Sequence, residues 1–389
     1  MGPLSGFLQS HVEATDDDHR VTTIELLFDL VFVYAITNVT GLMEHEIGGD
    51  AVLEGLITLA VVWFGWCSYA WLGNQARADR GVLRLAMVVA MGAMFFVAIS
   101  IPHAFEDDGN AAAVLVIAYA VVRLTHLAVY LIAAGDDAQL RSVIYAMLGV
   151  STVMLVLLSI GAVAGGESQR VWWLAAVVSD QIGVYVVRST RWRMPSAPHF
   201  AERFGLIVII AIGESVVAVG VSTSSADLSG RDAVALVCGL AIAVCIWWLY
   251  FDEGAAKAEH VLLRSSQLER VRLGRDSYTY VHFVLVGGIV FVALGLLLLI
   301  GGHGHGDAGR NALYGGIACY LVGDCLFCWR HLGDVKPARL AVAALIVVGI
   351  PTLGGLTTLG QVAVPAVALI ALVMFEAWSS ARVTSRLGR

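Results

Sequence analysis

The sequence has 389 residues, of which 58% are hydrophobic and 14% are charged, and its formal net charge is -7. A water-soluble chain of this length needs a surface richer in charged residues, so the composition excludes an ordinary soluble globular protein. The hydrophobic residues occur in runs of about 20, the length that crosses the hydrocarbon core of a bilayer as a helix.

Twelve apolar segments follow one another along the chain, each with the length of a membrane-spanning helix. The eleventh is the least regular, because Pro351 interrupts it and a proline inside a helix removes one backbone hydrogen bond. The sequence thus predicts an all-α, polytopic transmembrane helical bundle with about 12 spans. The predicted spans cover residues 21–42, 52–73, 82–104, 111–134, 141–163, 171–188, 204–221, 232–251, 277–300, 311–329, 338–356 and 360–380.

The positions of Lys and Arg predict the orientation of this bundle. With twelve spans, the segments on the side of the N-terminus hold 20 of the 24 Lys and Arg residues, and the opposite side holds three. Positively charged loops are retained in the cytoplasm, so both termini are expected there. The chain is predicted to lie in the cell (inner) membrane, with the lipid bilayer as its partner.

The two halves of the chain share a weak internal similarity. The segment from Glu25 resembles the segment from Glu202, and the pattern W-x-x-Y-x-x-x-G begins at Trp66 and again at Trp247. Two parallel six-helix repeats are a known plan among transporters. The predicted organisation is a polar N-terminal segment (1–20), a first six-helix repeat (21–188), a cytoplasmic linker (189–203), a second six-helix repeat (204–380) and a cytoplasmic tail (381–389).

Aligning the fourth spans of the two repeats places Arg123 opposite Asp324. Each residue lies about 12 positions into its span, or ~18 Å at the helical rise, which is near the bilayer midplane. A single charge costs a few kcal/mol there. We therefore expect an Arg123–Asp324 intramembrane ion pair or a shared polar network.

Carboxylates inside the spans are the candidates for chemistry. Glu25 and Asp29 are four residues apart on one face of the first span, and Glu214 lies about ten residues into the seventh. Such groups are by default proton or cation sites, although hydrogen bonding between helices is the alternative. The intramembrane acids outnumber Arg123, which favours protons or monovalent cations over anions. The pathway candidates are Glu25, Asp29, Asn38, Asp180, Glu214 and Ser215.

Other polar side chains are assigned structural roles. His282 is interpreted as a packing residue, Glu376 as a side chain that snorkels to the interface, and His303 and His305 as part of a flexible loop. Motifs for phosphate binding, zinc hydrolysis or a nucleophilic serine are missing from the sequence. We therefore expect no cofactor, no metal, no catalytic residue and no nucleic-acid partner.

Two segments resemble the signatures of one known family. "ELLFDLVFVYAI" (25–36) is similar to the segment that opens the bacterial low temperature requirement A (LtrA) family, and "ERFGLIVIIAIGES" (202–215) is similar to its second signature. Leu27 departs from the pattern, which usually has an aromatic residue there. The resemblance implies a multi-pass bacterial membrane protein, and it implies no transport substrate or reaction. The matched positions are Glu25, Phe28, Asp29, Glu202, Arg203, Gly213, Glu214 and Ser215.

Three functions are compatible with these features. The favoured one is a proton- or cation-linked transporter or channel that uses Asp29 and Glu214 as intramembrane carboxylates. The second is a non-catalytic stress- or cold-adaptation protein whose polar residues join helices. A membrane-embedded lipid-modifying enzyme is third, because the sequence offers no pair of nucleophile and base, and we expect no enzymatic activity. The sequence leaves a homo-oligomer open.

Overall fold

The structure is a computed structural model that describes residues 20–45, 48–106, 109–187, 192–221, 230–301 and 306–387. The predicted N-terminal segment apart from Arg20, residues 189–191 of the predicted linker, the end of the tail, and His303 and His305 lie outside the described residues.

Within these ranges the chain forms fourteen α-helices, together with a 3-10 turn at Ile101–His103 and two π-helical segments at Tyr250–Gly254 and Gly274–Val281. The helices are α1 (Thr23–His45), α2 (Gly49–Gln75), α3 (Gly81–Ser100), α4 (Ala111–Ala134), α5 (Ala138–Ala164), α6 (Gly166–Val186), α7 (Ala197–Val221), α8 (Gly230–Leu249), α9 (Ala255–Arg264), α10 (Gln267–Leu273), α11 (His282–Ile300), α12 (Gly306–Leu332), α13 (Pro337–Thr352) and α14 (Thr358–Leu387).

Local signals explain several helix boundaries. The Asp137 side chain accepts hydrogen bonds from the backbone N–H groups of Gln139 and Leu140, both at 3.0 Å, and so caps the start of α5. Gly165 separates α5 from α6 with a φ of 64°, a conformation that favours glycine. Pro337 stands at the first position of α13, where its missing N–H costs nothing.

Ten helical stretches in the described part of the chain are long and apolar enough to cross a membrane. The predicted all-helical membrane fold is therefore confirmed at this level. Two of the twelve predicted spans are not among the ten. The α6 helix carries both Arg170 and Asp180, and α13 has only 16 residues.

The helices divide into two compact units. The first contains the chain up to Phe204 together with Ser265–Gly274, and the second contains Gly205–Arg264 and the chain from Arg275 onward. The division falls inside α7. Residues 197–203 of the predicted linker are helical, because α7 begins at Ala197 and includes Arg203.

In the first unit, α1 packs against α2 and α3 and turns its polar side inward. Leu27 and Leu30 are 54% and 60% exposed, whereas Asp29 is 1% exposed. Phe28, next to Asp29 in the chain, packs against Tyr69 of α2, with ring centroids 5.1 Å apart. The apolar face of α1 is thus the one available to lipid, and its carboxylates face protein, as the cost of charge in hydrocarbon requires.

In the second unit, α11 and α12 approach each other at backbone contact distance. A Cβ atom on Gly288 would lie 2.7 Å from the backbone nitrogen of Tyr320, and a Cβ on Gly295 would lie 2.3 Å from that of Leu313. Small residues at such positions allow helices to pack closely, which is a frequent source of stability between membrane helices. This pair forms the core of the unit.

Candidate functional site

The first turn of α1 holds one carboxylate of the candidate site. Glu25 Oε2 accepts hydrogen bonds from the Thr22 backbone N–H at 2.9 Å and from the Thr22 hydroxyl at 2.8 Å. The spacing T-x-x-E is that of a capping box, in which the glutamate at the third helical position satisfies the first free N–H group. Glu25 is therefore part of the start of the helix as well as part of the site.

The first two turns of α7 supply the positive charge. The Arg203 guanidinium donates from Nη1 to Glu25 Oε1 at 2.8 Å and from Nη2 to Asp29 Oδ1 at 2.6 Å. All three side chains are fully buried. Arg203 thus bridges the two carboxylates that α1 presents on one face, and this explains why the two acids stand four residues apart.

Trp66, from α2, completes the contacts of Asp29. Its indole Nε1–H donates to Asp29 Oδ1 at 2.8 Å, and its ring lies 5.4 Å from the Arg203 guanidinium carbon. The Phe204 ring packs edge-on against the indole, with ring centroids 4.9 Å apart. This aromatic wall excludes water from one side of the ion pair, which strengthens the electrostatic attraction.

His199 links Glu25 to the end of α2. Its Nε2 lies 3.0 Å from Glu25 Oε1, and because a carboxylate only accepts hydrogen bonds, this nitrogen carries a proton. Its Nδ1 lies 3.4 Å from the Asn74 amide nitrogen, which also donates to the Ser196 carbonyl. With the Asn74 amide as the donor, Nδ1 is the acceptor, and the neutral tautomer with the proton on Nε2 fits both partners.

Because Gly73 has no side chain, the Glu25 carboxylate can pack directly against the backbone of α2. A Cβ atom at this position would lie 2.5 Å from Glu25 Oε1, closer than real Cβ contacts allow. The glycine of the W-x-x-Y-x-x-x-G pattern is thus required by the close approach of α1 to α2. The pattern marks residues that build the site, since its tryptophan binds Asp29.

The two carboxylates are not equivalent. Glu25 has four hydrogen-bond donors on its two oxygens, counting Thr22 twice, His199 and Arg203. Asp29 has two donors on Oδ1, and its buried Oδ2 has no hydrogen-bond partner among the described residues. A carboxylate can accept about four hydrogen bonds, so Glu25 is saturated and Asp29 has capacity left.

We name this set the Arg203 cluster. It contains Thr22, Glu25, Asp29, Trp66, Asn74, His199 and Arg203. With both acids ionised and His199 neutral, the cluster carries one net negative charge. A single added proton at Asp29 Oδ2 would balance it.

The two residues of the predicted Arg123–Asp324 pair each have an ion-pair partner within their own unit. Arg123 donates to Asp180 Oδ1 at 2.9 Å and to the hydroxyl groups of Ser68 and Ser151 at 2.8 and 2.9 Å. Asp324 pairs with Arg339 instead. Each charge finds its partner inside its own unit, because a buried ion pair needs geometry that a sequence alignment of repeats does not supply. Asp180 is accordingly an ion-pair partner.

A second bridge of this kind lies in the second unit. Arg339, near the start of α13, donates to Asp324 of α12 and to Glu376 of α14, the latter from Nη2 at 2.7 Å and from Nε at 3.0 Å. Glu376 therefore does not simply snorkel to the interface, because the guanidinium holds it. We name these three residues the Arg339 cluster. Only the tertiary structure identifies the role of Arg339.

The remaining predicted residues are not members of the Arg203 cluster. Glu214 and Ser215 are buried in the part of α7 that belongs to the second unit. Asn38 donates to the Tyr34 carbonyl of its own helix at 2.9 Å. Glu202 contacts Arg20 at 3.8 Å and accepts a hydrogen bond from the Val21 N–H. Gly213 has open space at the position of a Cβ atom.

His282 is the centre of a buried aromatic cluster in the second unit. Its Nε2 lies 2.8 Å from the Tyr250 hydroxyl, and its Nδ1 lies 3.0 Å from the Ser277 carbonyl. His331 Nδ1 lies 3.1 Å from the Ser277 hydroxyl. The packing role predicted for His282 is therefore incomplete. Tyr250 and Ser277 lie in the two π-helical segments, and such segments occur frequently at functional sites.

Sequence reasoning missed His199, Asn74 and Thr22 as members of the Arg203 cluster. The capping-box spacing from Thr22 to Glu25 was a usable signal for one of them. His199 lies 174 residues along the chain from Glu25 and 125 residues from Asn74, and no local sequence pattern predicts contacts over such separations.

Comparisons with known proteins agree with this picture of a membrane bundle. The family model described as Bacterial low temperature requirement A protein (LtrA) matches residues 20–374. An uncharacterised protein of Rhizobium meliloti (strain 1021) is 28% identical over 296 residues, which cover 72% of this chain and 69% of that protein. No solved structure matches the chain. The family match includes every residue of the Arg203 and Arg339 clusters except Glu376, which lies just beyond its end.

Proposed function

We propose that this chain, which belongs to the bacterial low temperature requirement A family, is a membrane protein that moves protons and uses Asp29 as a proton-binding group. Its proposed setting is the bacterial inner membrane, with about 12 spans and both termini in the cytoplasm. We propose no enzymatic activity and no nucleic-acid partner, and a homo-oligomer remains compatible with this function.

The observation that carries the proposal is the incomplete coordination of Asp29. Its Oδ2 is buried and has no hydrogen-bond partner among the described residues, whereas every other carboxylate oxygen of the Arg203 cluster has at least one. Buried polar atoms are almost always satisfied, and exceptions mark sites where another species binds. A proton on Oδ2 would remove the excess negative charge without moving any side chain.

The contacts favour a proton over a metal cation. Arg203 already occupies the space between the carboxylates, with its nitrogens 2.8 and 2.6 Å from Glu25 and Asp29. A metal cation would have to approach a buried guanidinium, and like charges at short range repel strongly in a medium of low dielectric constant. We include buried Glu214 as the second proton-binding carboxyl of the proposal.

Proton flux into liposomes tests this function. Purified protein is reconstituted, a potassium diffusion potential is applied, and internal pH is followed with a trapped fluorescent dye. We expect flux in the wild type and the background of empty vesicles in Asp29→Asn, with a strong decrease in Glu214→Gln. Asp79→Asn is the matched control, because Asp79 forms a partly exposed ion pair with Arg77 at 3.2 Å outside the helices.

Wild-type vesicles without flux, from protein with an intact thermal transition, would reject the proposal. Flux of sodium or potassium ions that Asp29→Asn abolishes, without proton flux, would reassign the site to a cation.

A second candidate function is a structural membrane protein without turnover. It is supported by the pairing of Glu25, Asp180 and Asp324, each of which contacts a buried arginine. Under this function all three acids join helices, and Asp29→Asn lowers stability without a transport phenotype.

A further inference from the structure

The Arg339 cluster borders a cavity of about 190 Å³ in the second unit. The cavity walls come from the end of α8, the start of α13 and the last turns of α14, and they include Arg339 and Glu376. One water molecule needs about 10–15 Å³ of cavity, so several waters fit. Glu376 is 24% exposed, and Asp252, which also lines the cavity, is exposed. The cavity therefore brings water to one side of the cluster.

The Arg339 cluster holds more negative charge than positive charge. Its one guanidinium contacts two carboxylates, those of Asp324 and Glu376. Lys336 also lines the cavity, but its ammonium group already lies 2.9 Å from a carboxylate oxygen of Asp334. With every group ionised, the cluster thus carries one net negative charge, and Lys336 does not offset it.

The elements packed against α12 bring few other charges to Asp324. In the sequence of α11 the residues after His282 are all uncharged, and both ring nitrogens of His282 have hydrogen-bond partners. The residues that α9 buries are the apolar Ala258 and Leu262. The charged groups at this site are therefore Arg339 and Glu376, with Asp252 and Lys336 at the cavity.

Asp324 has fewer contacts than the other carboxylate of the cluster. Both oxygens of Glu376 accept hydrogen bonds from Arg339, at 3.0 Å and 2.7 Å. Asp324 is fully buried and accepts from Arg339 at Oδ2, whereas its buried Oδ1 has no hydrogen-bond partner among the described residues. Buried polar atoms almost always have a partner, so this oxygen indicates that another species binds there.

Asp180 of the first unit is a buried aspartate–arginine pair of a different kind. Its Oδ1 accepts a hydrogen bond from Arg123 at 2.9 Å, and its Oδ2 accepts one from the Gln181 amide at 3.0 Å. Arg123 also donates to two serine hydroxyls, which carry no charge. Both oxygens of Asp180 are thus occupied, and one carboxylate balances one guanidinium. Asp324 differs in both respects, and one added proton would remove the difference in charge.

We propose that Asp324 binds a proton at Oδ1 and exchanges it with water in the cavity. The proton comes from bulk water, forms an O–H bond at Oδ1 and removes the net negative charge, while the Arg339 contact to Oδ2 stays in place. A neutral carboxyl costs far less to bury than a carboxylate. Arg339 contacts Asp324 and lines the cavity, so access needs a movement of this side chain, and water replaces its partly exposed contact with Glu376 at low cost. The site lies in the second unit and does not depend on proton movement through Asp29.

Infrared spectroscopy of the purified full-length protein in lipid tests the proton site, because a neutral carboxyl and a carboxylate absorb at different frequencies. Isotope-labelled aspartate separates the aspartate bands from those of glutamate, and no ion gradient is applied. In an Asp29→Asn background at neutral pH we expect the band of one neutral aspartate, and Asp324→Asn should abolish it. Asp180→Asn and Asp334→Asn are controls that should leave the band unchanged. A band that survives Asp324→Asn, or no band in this background, would overturn the proposal.

A second variant, Asp324→Glu, keeps the acid and applies if Asp324→Asn does not fold. The neutral carboxyl should then leave the labelled aspartate region and appear among the glutamate bands, and an unchanged aspartate band would contradict the assignment. Proton flux in liposomes without the Asp324 band would reject this site alone. The band without any flux would reject only the proposed function.

Deuterium exchange tests the cavity as the route of the proton. Transfer to heavy water should shift the Asp324 band, and Ala377→Trp, which fills the cavity, should slow that shift. Ala381 lies one turn further along α14, outside the cavity wall, and Ala381→Trp should leave the exchange rate unchanged. Equal exchange rates in the wild type and in Ala377→Trp would overturn the cavity as the route.

Discussion

The Arg203 and Arg339 clusters are built on the same plan, but they differ in access to water. In each, an arginine near the start of a helix bridges two carboxylates, and one aspartate oxygen, Asp29 Oδ2 or Asp324 Oδ1, lacks a hydrogen-bond partner among the described residues. In the first unit the side chains of Glu25, Asp29 and Arg203 are all buried. In the second, Glu376 is 24% exposed and borders the cavity.

This difference determines what each bridge can do. When one partner of a fully buried ion pair is removed, water cannot reach the remaining charge, so each partner depends on the other for stability. A partly exposed carboxylate such as Glu376 can exchange a protein contact for water at low cost. Arg339 and Asp324 are themselves buried. We therefore expect the Arg203 cluster to contribute more to stability, and the Glu376 contact of the Arg339 cluster to tolerate substitution.

The largest expected effect comes from removing the two arginines. Arg203→Met leaves two buried carboxylates without their cation and should destabilise the protein by about 3–5 kcal/mol, as breaking a buried ion pair does. Arg339→Met leaves one fully buried carboxylate, Asp324, without its cation, while Glu376 can reach water, so this variant should lose less stability. Thermal unfolding in detergent, followed by circular dichroism, measures both. Equal losses of stability in the two variants would show that the partial exposure of Glu376 makes no difference to the Arg339 cluster.

An intermediate effect is expected from the paired glycines of the W-x-x-Y-x-x-x-G pattern. In Gly73→Ala the new Cβ would meet Glu25 Oε1 at 2.5 Å, whereas in Gly254→Ala its nearest contact is Cys328 Sγ at an ordinary 3.8 Å. Overpacking costs about 1–3 kcal/mol, so only the first variant should lose that much stability. The same unfolding measurement compares them, and a neutral Gly73→Ala would show that Glu25 moves freely.

The smallest expected effect comes from the capping box of α1. Thr22→Ala removes one of the four donors of Glu25, and N-cap substitutions of this kind cost about 0.5–2 kcal/mol. Thr22→Ser keeps the hydroxyl and should retain most of the stability. A loss in Thr22→Ser as large as that in Thr22→Ala would show that packing of the threonine methyl group, rather than the hydrogen bond, matters here.

Much of the membrane bundle could be predicted because hydrophobic length is a local property. Ten helical stretches match predicted spans, and the inward position of Asp29 follows from the cost of charge in lipid. The partners could not be predicted in the same way. An alignment of the repeats pairs Arg123 with Asp324, whereas in the structure Arg123 contacts Asp180, 57 residues away along the chain, and Asp324 contacts Arg339, 15 residues away.

The sequence by itself determined that this chain is a helical membrane protein, that Glu25 and Asp29 share one helix face, and that this face turns away from lipid. Only the tertiary structure decided that Arg203 and His199 meet Glu25, that Asp29 retains an unused oxygen, and that Glu376 borders a cavity. The physical reason is that hydrophobicity and helical periodicity act between neighbours in the chain. The neutralisation of a buried charge instead depends on which side chains lie within about 3 Å of it in space.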